Sequence, residues 1–438
     1  MIAQKDNSLS FIVDLDEFHK KVDRVSPAWI NQLRAKGLAR FRELGLPTTR
    51  EEDWKYTNVA PVGQGRFRLS TPVEPIEKDA LKEYLHPDDL NVVFVNGVFS
   101  KEYSHLEGLP KGIRILNLNE GFVHHEKEIA ALWRQYEGRN EGTFVSLSKA
   151  LLNHGVLIAI DPKVVAEKLI HLVYLTSSAQ GEIVSAPCSI ILVEASSEVK
   201  VLESHVSFSR TPYLVNALTD IVMDEDAKLF YGKAQKESAE AFHIATTRIW
   251  QKRDSQLNSF CLTAQGRLVR NDLNVILDGT GANAILNGLY IVRDAQHVDN
   301  HTSVDHRPPN CTSNQLYKGI LEDSGRAVFN GKIFVRKEAQ QTNSYQLNKN
   351  LLLGKGCRVD TKPQLEIFAN DVRCTHGATI GQLSEDELFY LRARSIPKDL
   401  AVKILARGFV DDILNMIPQR SVTAKLNCLL KDKFSQFT

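Results

Sequence analysis

The sequence lacks the features that mark membrane, nucleotide-binding and disulfide-linked proteins. No stretch of its 438 residues approaches the ~20 consecutive apolar residues that a membrane-spanning helix requires. The formal net charge is only +1, which gives no indication of a basic surface for nucleic acid or for an anionic membrane. None of the six cysteines forms a CxxC pair, so a zinc ribbon and a thioredoxin motif are excluded. GxxxxGK(S/T), GxSxG and HExxH are also absent, so the chain itself carries no P-loop.

What remains is the composition of a soluble globular protein, with 43% apolar and 24% charged residues. The length is sufficient for two or three hydrophobic cores. The first residues, MIAQKDNSLSFIVDLDEF, show neither a basic segment followed by an apolar one nor an Arg/Ser-rich transit pattern. We therefore expect a cytoplasmic protein with six free thiols, most of them buried as small apolar side chains.

Residues 1–150 are predicted to form an α-rich N-terminal domain with a few short strands. Apolar residues recur at helical spacing over 11–25 and again over 30–44. An acidic and aromatic connector, residues 48–61, follows the second helix, and we expect its Trp54 and Tyr56 to anchor the packing of this region. Short strands are predicted over 91–117, and two amphipathic helices follow them before Gly155.

Residues 151–380 read as one strand after another, mostly 4–8 residues long and bounded by Asp, Asn, Ser or Gly. No helix of period 3.6 interrupts them, which argues against alternating βαβ units. GRLVRN at 266–271 recurs as GRAVFN at 325–330, and a looser copy lies at 281–292. Short strands that recur in this way fit the stacked coils of a β-solenoid better than a β-sandwich with a long meander, which would exceed the usual domain length.

Residues 381–438 change to a helical pattern and are predicted to form a C-terminal helical domain. Ser384 and Glu387 make a capping box, and Pro397 opens a longer helix. That helix carries an apolar stripe, which consists of Ala401, Ile404, Leu405, Phe409 and Ile413. Such helices can cap the open end of a solenoid, which is their more common use, or expose a face to a partner.

Two motifs in the strand region carry weak signals. The GxGxxA pattern at 278–284 resembles a dinucleotide fingerprint, but a strand and not a helix follows it, so we reject that function. His297, Asp299 and His301 alternate on one face of an extended segment, and His306 and Cys311 follow. These are adequate zinc or iron ligands, although polar residues on the solvent face of a coil, hydrogen-bonded to their neighbours, are the favoured interpretation.

A stronger signal is Cys374-Thr375-His376, which follows a predicted strand and precedes a predicted Gly-Ala-Thr-Ile-Gly bend. A thiol and an imidazole two residues apart on an extended backbone point to the same side and can bind a soft metal ion. Two side chains do not complete a tetrahedral site. Cys357 could supply a third ligand, or the site could be shared across a subunit interface.

Two long blocks of sequence resemble the SufB/SufD family of iron–sulfur cluster assembly scaffolds. They are NHTSVDHRPPNCTSNQLYKGIL at 300–321 and DTKPQLEIFANDVRCTHGATIGQLSEDELFYLRARSI at 360–396. EEDWKYTN at 51–58, the length, and HGAT in place of HEAT favour the SufD branch of the family.

The resemblance implies a right-handed parallel β-helix between N- and C-terminal helical domains. It implies pairing with a SufB-like subunit through the β-helix, and binding of a SufC ATPase through the C-terminal helices, which would supply the nucleotide chemistry. It also allows a homodimer of the isolated chain. By motif match, His376, with Cys374 beside it, would contribute to a transient iron–sulfur cluster shared with SufB. No role follows for His297, His301, His306 or Cys311.

The expected function is accordingly that of a scaffold subunit of the SUF system and not of an enzyme. Two alternatives remain open at this point. One is a structural partner that stabilises SufB without touching metal. The other is a cytosolic β-helix enzyme, since lyases and acyltransferases also use this fold.

Overall fold

The computed structural model describes residues 10–70, 76, 81–136, 141–177 and 181–435. The chain begins with helices, as predicted for 11–25 and 30–44. The N-terminal elements are α1 (Leu15–Val22), α2 (Ala28–Leu44), a 3-10 turn (Glu52–Trp54), α3 (Ala60–Gln64), β1 (Arg68–Leu69), β2 (Leu90–Val95), β3 (Val98–His105), β4 (Ile113–Asn117), α4 (Leu118–His124), α5 (Glu126–Arg134) and α6 (Thr143–Ala150).

From Gly155 onwards the chain winds into a parallel β-solenoid of about 8 turns, as predicted, and the sandwich alternative is wrong. Its strands are β5 (Gly155–Ile160), β6 (Ile170–Thr176), β7 (Ile183–Ser185), β8 (Cys188–Val193), β9 (Glu198–Ser207), β10 (Tyr213–Met223), β11 (Lys228–Lys236), β12 (Ala241–Gln251), β13 (Gln256–Gln265), β14 (Leu268–Leu277), β15 (Asn283–Val292), β16 (His297–His306), β17 (Thr312–Leu321), β18 (Arg326–Val335), β19 (Thr342–Leu352), β20 (Arg358–Ile367) and β21 (Val372–Gly381).

Each coil gives one strand to each of two sheets. The first sheet has the order β20-β18-β16-β14-β12-β10-β8-β5-β4, with β7 and β1 off this path. The second sheet has the order β21-β19-β17-β15-β13-β11-β9-β6-β2-β3. All solenoid strands pair in parallel, whereas the β2–β3 and β4–β5 pairs are antiparallel. The short strands predicted over 91–117 therefore belong to the same two sheets as the solenoid.

The rejected dinucleotide motif lies in the turn between β14 and β15, and its glycines serve coil stacking. A Cβ atom on Gly279 would lie 1.9 Å from the backbone nitrogen of Arg253 in the preceding coil. Gly281 has a φ of +77°, which a side chain would strain. The chain then enters β15 at Asn283 without forming a helix, so no helix N-terminus is available for a pyrophosphate.

The C-terminal helices are α7 (Glu385–Ala393), α8 (Lys398–Leu414) and α9 (Arg420–Ser435). The Ser384 hydroxyl accepts the backbone N–H of Glu387, as the capping box predicted. The predicted stripe of α8 is wrong at Ile404, which is exposed. The helix instead buries a face made of Ala401, Val402, Ala406, Val410, Ile413 and Leu414.

These helices pack against the outer face of the second sheet. The side chains of α8 and α9 share one apolar cluster with outward-facing residues of that sheet, including Phe230 and Ile320. Lys318 of β17 donates to the Phe409 carbonyl at 2.9 Å and to the Asp412 carboxylate at 3.1 Å. The helices leave the last coil of the solenoid exposed, so end-capping, their more common use, is not their role here.

Among the helices in the described parts of the chain, none combines the length and the apolar character needed to cross a bilayer.

Candidate functional site

The last coil of the solenoid, which we call the terminal coil (β20 and β21, residues 358–381), is an open end. β20 pairs with β18 and β21 pairs with β19, and no further strand of the described chain pairs with either of them. Each strand of the preceding coil, β18 and β19, has six buried residues, whereas neither strand of the terminal coil contains one. Ile367, the last residue of β20, is 39% exposed although its register partner Val335 is fully buried. The interior of the solenoid is therefore accessible at this end.

Cys374 and His376 both lie on β21 and face this open interior. Cys374 is in register with Ser344 and His376 with Gln346, and both β19 residues are fully buried inside the solenoid. Because positions 374 and 376 are two residues apart on one strand, their side chains share a side, as their spacing predicted. Cys374 is half-buried, whereas His376 is exposed. The predicted bend is wrong, because Gly377–Gly381 continues the strand.

Cys374 is not prepared for metal binding, because its thiol is protonated. Burial raises the pKa of the Cys374 thiol, and a hydrogen bond from the Ser344 backbone only partly opposes this. The sulfur is therefore a neutral thiol at physiological pH, and a metal ion that binds it must displace the proton. Such a ligand binds metal more weakly than an exposed thiolate.

Hydrogen-bonded polar side chains lie beneath each of the two residues inside the solenoid. Below Cys374, the Ser344 and Ser313 hydroxyls are 2.7 Å apart, and Ser313 lies 2.9 Å from the His306 ring. Below His376, the Gln346 amide donates to the Gln315 amide oxygen at 3.1 Å. The polar interior thus continues from the middle coils up to the open end.

Cys357 does not join Cys374. Cys357 lies in the turn before β20, where its sulfur is 3.7 Å from the Asp323 carbonyl of the preceding coil. Cys374 instead packs beside the residues at the end of β20. One ten-residue strand separates the two positions, which corresponds to roughly 20–30 Å. The hypothesis that Cys357 supplies a third ligand is therefore wrong.

His297, Asp299 and His301 form a hydrogen-bonded cluster on the outer face of the first sheet. Asp299 is fully buried, and its carboxylate lies 2.9 Å from His301 and 3.0 Å from the Arg270 guanidinium. Burial alone would raise the pKa of Asp299, but His301 and Arg270 lower it below its usual value. In the described chain no group of three or more His, Cys, Asp or Glu side chains is arranged to hold a metal ion. These residues are hydrogen-bonded neighbours, as predicted, but the prediction that they lie on the solvent face of a coil is wrong for Asp299, which the connector covers.

His306 and Cys311 are separate from this cluster. The His306 side chain points into the solenoid, where burial lowers its pKa to about 4. Cys311 is fully buried in the turn that precedes β17, and burial raises its pKa to about 11. Both residues are part of the core.

The His297–Asp299–His301 cluster holds the connector against the solenoid. The Thr57 hydroxyl donates to Asp299 at 2.6 Å and lies 2.9 Å from the His297 ring. Next to it, the Arg270 guanidinium lies 3.8 Å from the centre of the Trp54 ring and donates to the Asp53 carbonyl. Trp54 is thus an anchor, as predicted, whereas Tyr56 is 38% exposed and is not one.

Replacing Thr57 with valine should lower the free energy of unfolding by about 1.5–3 kcal/mol, since a buried carboxylate loses a hydrogen-bond donor. Urea denaturation measures this loss. Thr48→Val is the matched control, because Thr48 is an exposed threonine of the same connector and should change stability by less than about 0.5 kcal/mol. Equal losses in the two variants would show that the cluster does not fix the connector.

The sequence analysis did not identify the polar residues inside the solenoid. Glu203, His205 and Lys233 are all buried there, and the Glu203 carboxylate lies 2.7 Å from His205. Burial would raise the pKa of Glu203, but His205 and Lys233 lower it to about 2. The sequence does carry one sign of a polar interior. In SYQLNKN at 344–350, every second residue from Ser344 to Asn350 is polar, whereas the core-facing residues of an ordinary strand are apolar.

Comparison with known proteins agrees with this architecture. Residues 174–409 match the family model described as "SUF system FeS cluster assembly, SufBD core domain", and residues 6–172 match the "SufBD protein N-terminal region". An iron-sulfur cluster assembly SufBD family protein of Synechocystis is 31% identical over 393 residues, which cover 87% of this chain and 86% of that protein.

Two further relatives carry the name iron-sulfur cluster assembly protein SufD. The Escherichia coli protein is 30% identical over 381 residues, which cover 86% of each chain. The Bacillus subtilis protein is 23% identical over 416 residues, which cover 93% of this chain and 94% of that protein. Because both family models match in sequence order and relatives of 30% identity or more are matched over most of their length, the chain belongs to the SufBD family of iron–sulfur cluster assembly proteins.

Proposed function

We propose that this chain is a SufD-like scaffold subunit whose terminal coil joins a SufB-like subunit and contributes His376 and Cys374 to a shared assembly site. The observation that supports this most directly is the open end of the solenoid. Both donors lie on its last strand and face its accessible interior. The nascent iron–sulfur cluster is the cargo of such a site and not a resident cofactor.

The terminal coil is suited to pairing with another β-solenoid. β20 and β21 are ten-residue strands whose outer edges have no neighbouring strand among the described residues. Edges of this kind can accept strands from a partner, and exposed interior side chains such as Ile367 would be buried by it. The same geometry would allow a homodimer when the partner is scarce.

The donor set fits a shared and temporary site. A tetrahedral iron centre needs four ligands, and Cys374 with His376 provides two at most, so sulfide and partner side chains would supply the others. A histidine and a thiol that must first lose its proton hold iron less tightly than four thiolates do. Weak retention suits a scaffold, because it must release the cluster that it assembles.

The C-terminal helices are the proposed binding surface for a SufC-like ATPase. The described part of this region exposes large apolar side chains, namely Phe389, Tyr390, Leu400, Ile404 and Met416. An ATPase bound here could move α8, and the Lys318 contacts with Phe409 and Asp412 would transmit the movement to β17. ATP hydrolysis would then belong to the partner in a cytoplasmic complex, and this chain would perform no catalysis itself.

The test is anaerobic reconstitution of the chain co-expressed with its SufB-like and SufC-like partners. We expect His376→Ala to lower iron and sulfide per complex by at least tenfold, while size-exclusion chromatography shows normal assembly. Thr375→Ala is the control, because Thr375 is exposed on the same strand and points to the opposite side. An unchanged cluster yield in His376→Ala would make this subunit a structural brace for its partner, without metal contact.

A further inference from the structure

We propose that Gln346 is a positioning residue that fixes the ring orientation of His376 in the assembled complex, where the ring turns inward and one imidazole nitrogen donates to the Gln346 amide oxygen. This inference rests on the proposed function of His376 and adds a residue to that site. Gln346 lies one coil below His376 in register and is fully buried inside the solenoid. Adjacent coils are about 4.8 Å apart, so the two side chains are neighbours across the sheet.

The amide of Gln346 belongs to a chain of hydrogen-bonded side chains that passes to the coil before it and then across the core to the first sheet. Gln346 Nε2 donates to Gln315 Oε1 at 3.1 Å, and Gln315 Nε2 in turn donates to the Thr302 hydroxyl. Amide stacks of this kind are known from other β structures with in-register strands. The nitrogen and the oxygen of an amide point in different directions. Because the Gln346 nitrogen points toward the preceding coil, its oxygen points toward the following coil, where His376 lies in register.

The oxygen of Gln346 is the one atom of this stack that lacks a partner. Gln346 Oε1 is buried and accepts no hydrogen bond from any described residue, and the exposed His376 ring of the single chain does not donate to it. A buried acceptor without a donor costs about 1–3 kcal/mol, so a donor at the adjacent position would be stabilising. An imidazole N–H can donate this hydrogen bond. The side chains below, Gln315 and Thr302, already hydrogen-bond within the chain of residues described above.

The position of the Gln346 amide is set from the opposite sheet. A Cβ atom on Gly331 would lie 1.6 Å from Gln346 Nε2, so the amide occupies the space that a side chain at 331 would fill. The absence of a side chain at Gly331 thus permits the amide to reach Gln315. With its nitrogen held there, the amide cannot turn its oxygen toward Gln315 without losing the hydrogen bond.

The neighbouring amides of β19 differ from Gln346 in this respect. Asn348 donates to the Tyr290 hydroxyl at 3.0 Å and to the Tyr317 carbonyl at 3.2 Å, and its oxygen accepts from Asn350 at 2.7 Å. Asn348 is in register with Ala378, which has no polar group. The spare acceptor therefore lies below the histidine and not below the alanine of β21.

The consequence for metal binding is a fixed tautomer. If one ring nitrogen of His376 donates to Gln346, the other nitrogen carries the lone pair and is free to bind iron at the open end. Histidine ligands in proteins usually donate their second N–H to such an acceptor, and removing it typically weakens metal binding by 10–100-fold. Gln346 would play this part without touching the metal.

The direct test is ¹⁵N NMR of the apo complex with the SufB-like partner, in which only the histidines of this chain are labelled, recorded at one fixed alkaline pH. The His376 signals are assigned from their loss in His376→Ala. We expect one dominant tautomer in the wild type and in Gln346→Glu, which keeps an acceptor oxygen. Gln346→Met, which keeps the shape but removes the acceptor, should shift His376 toward the mixture found in free imidazole.

Asn348→Leu is the matched control, because it removes a buried amide from the same strand and should leave the His376 tautomer unchanged. A free-imidazole mixture in the wild type overturns the proposal whatever the variants do, so the test does not depend on each variant folding. An unchanged tautomer in folded Gln346→Met overturns it as well.

Cluster reconstitution in the complex separates this proposal from the proposed function. We expect Gln346→Met to lower the cluster yield by about tenfold and Gln346→Glu to restore it. If the tautomer shifts in Gln346→Met but His376→Ala retains its full yield, the orientation by Gln346 stands and the assembly function fails. If His376→Ala loses its yield and the tautomer does not respond to Gln346, the function stands and the positioning role is overturned.

Discussion

Replacing Ile367 with aspartate should weaken the association of this chain with the proposed SufB-like partner by at least 100-fold. Ile367 is the last residue of β20, and its side chain continues an interior column in which Val335 lies one coil below. It is 39% exposed in the single chain, so the substituted carboxylate can reach water there. In the proposed complex it would be buried without a partner charge, which costs several kcal/mol, and 100-fold corresponds to about 2.7 kcal/mol.

Sedimentation velocity with the purified partner measures this effect. Val123→Asp is the control, because Val123 is 62% exposed on α4, at the other end of the molecule from the terminal coil. Both variants introduce the same charge at an exposed apolar residue, and urea denaturation verifies that both are folded. Equal affinity of Ile367→Asp and wild type would exclude the terminal coil as the interface.

The repeated sequence blocks predicted the solenoid but placed its coils one residue out of register. The GRLVRN and GRAVFN blocks align Leu268 with Ala327. In the structure, Leu268 pairs with His297 and His297 pairs with Arg326, so Val269 and not Leu268 stacks in line with Ala327. A shift of one residue reverses which side chains face the core. The turns set this register, and their lengths vary from coil to coil, which local patterns do not reveal.

The candidate site was predictable only where neighbouring residues on one strand determine it. The shared side of Cys374 and His376 follows from their spacing on an extended backbone. Gln346 could not be found in this way, because it meets His376 only through the stacking of coils. The partner of Asp299 is more distant still, since Thr57 reaches it from the connector, before the solenoid begins.

Asp220→Ala should lower the free energy of unfolding by about 3–5 kcal/mol, the largest stability loss expected from a single polar substitution here. Asp220 and Arg248 are register neighbours on the first sheet, and both are buried. Two hydrogen bonds of 2.6 and 2.7 Å join the Arg248 guanidinium to the Asp220 carboxylate, which also accepts from the Trp133 indole at 2.8 Å. Removing the carboxylate leaves a buried guanidinium whose charge is no longer fully compensated.

The pair also attaches the N-terminal helices to the solenoid. Trp133 lies on α5, and the segment after that helix contributes Glu141, whose carboxylate lies 3.0 Å from the guanidinium, and Tyr136, whose ring centre lies 3.8 Å from it. We therefore expect Asp220→Ala to increase amide hydrogen exchange throughout α5. The double variant Asp220→Leu/Arg248→Met should recover most of the lost stability, because it removes both buried charges together.

The pair of Asp224 and Lys252 provides the matched control. It joins a carboxylate and a cation directly after the ends of the same two strands, at 3.0 Å, but it is partly exposed. Water screens such a pair, so Asp224→Ala should cost less than about 1 kcal/mol in the same urea denaturation experiment. If the two single variants lost equal stability, the carboxylate–guanidinium pair would not be what holds the helices. A loss of unfolding free energy in Asp220→Ala alone, which the double variant recovers, would show that the uncompensated Arg248 charge causes it. The helix contact that depends on this pair would then account for the increased exchange in α5.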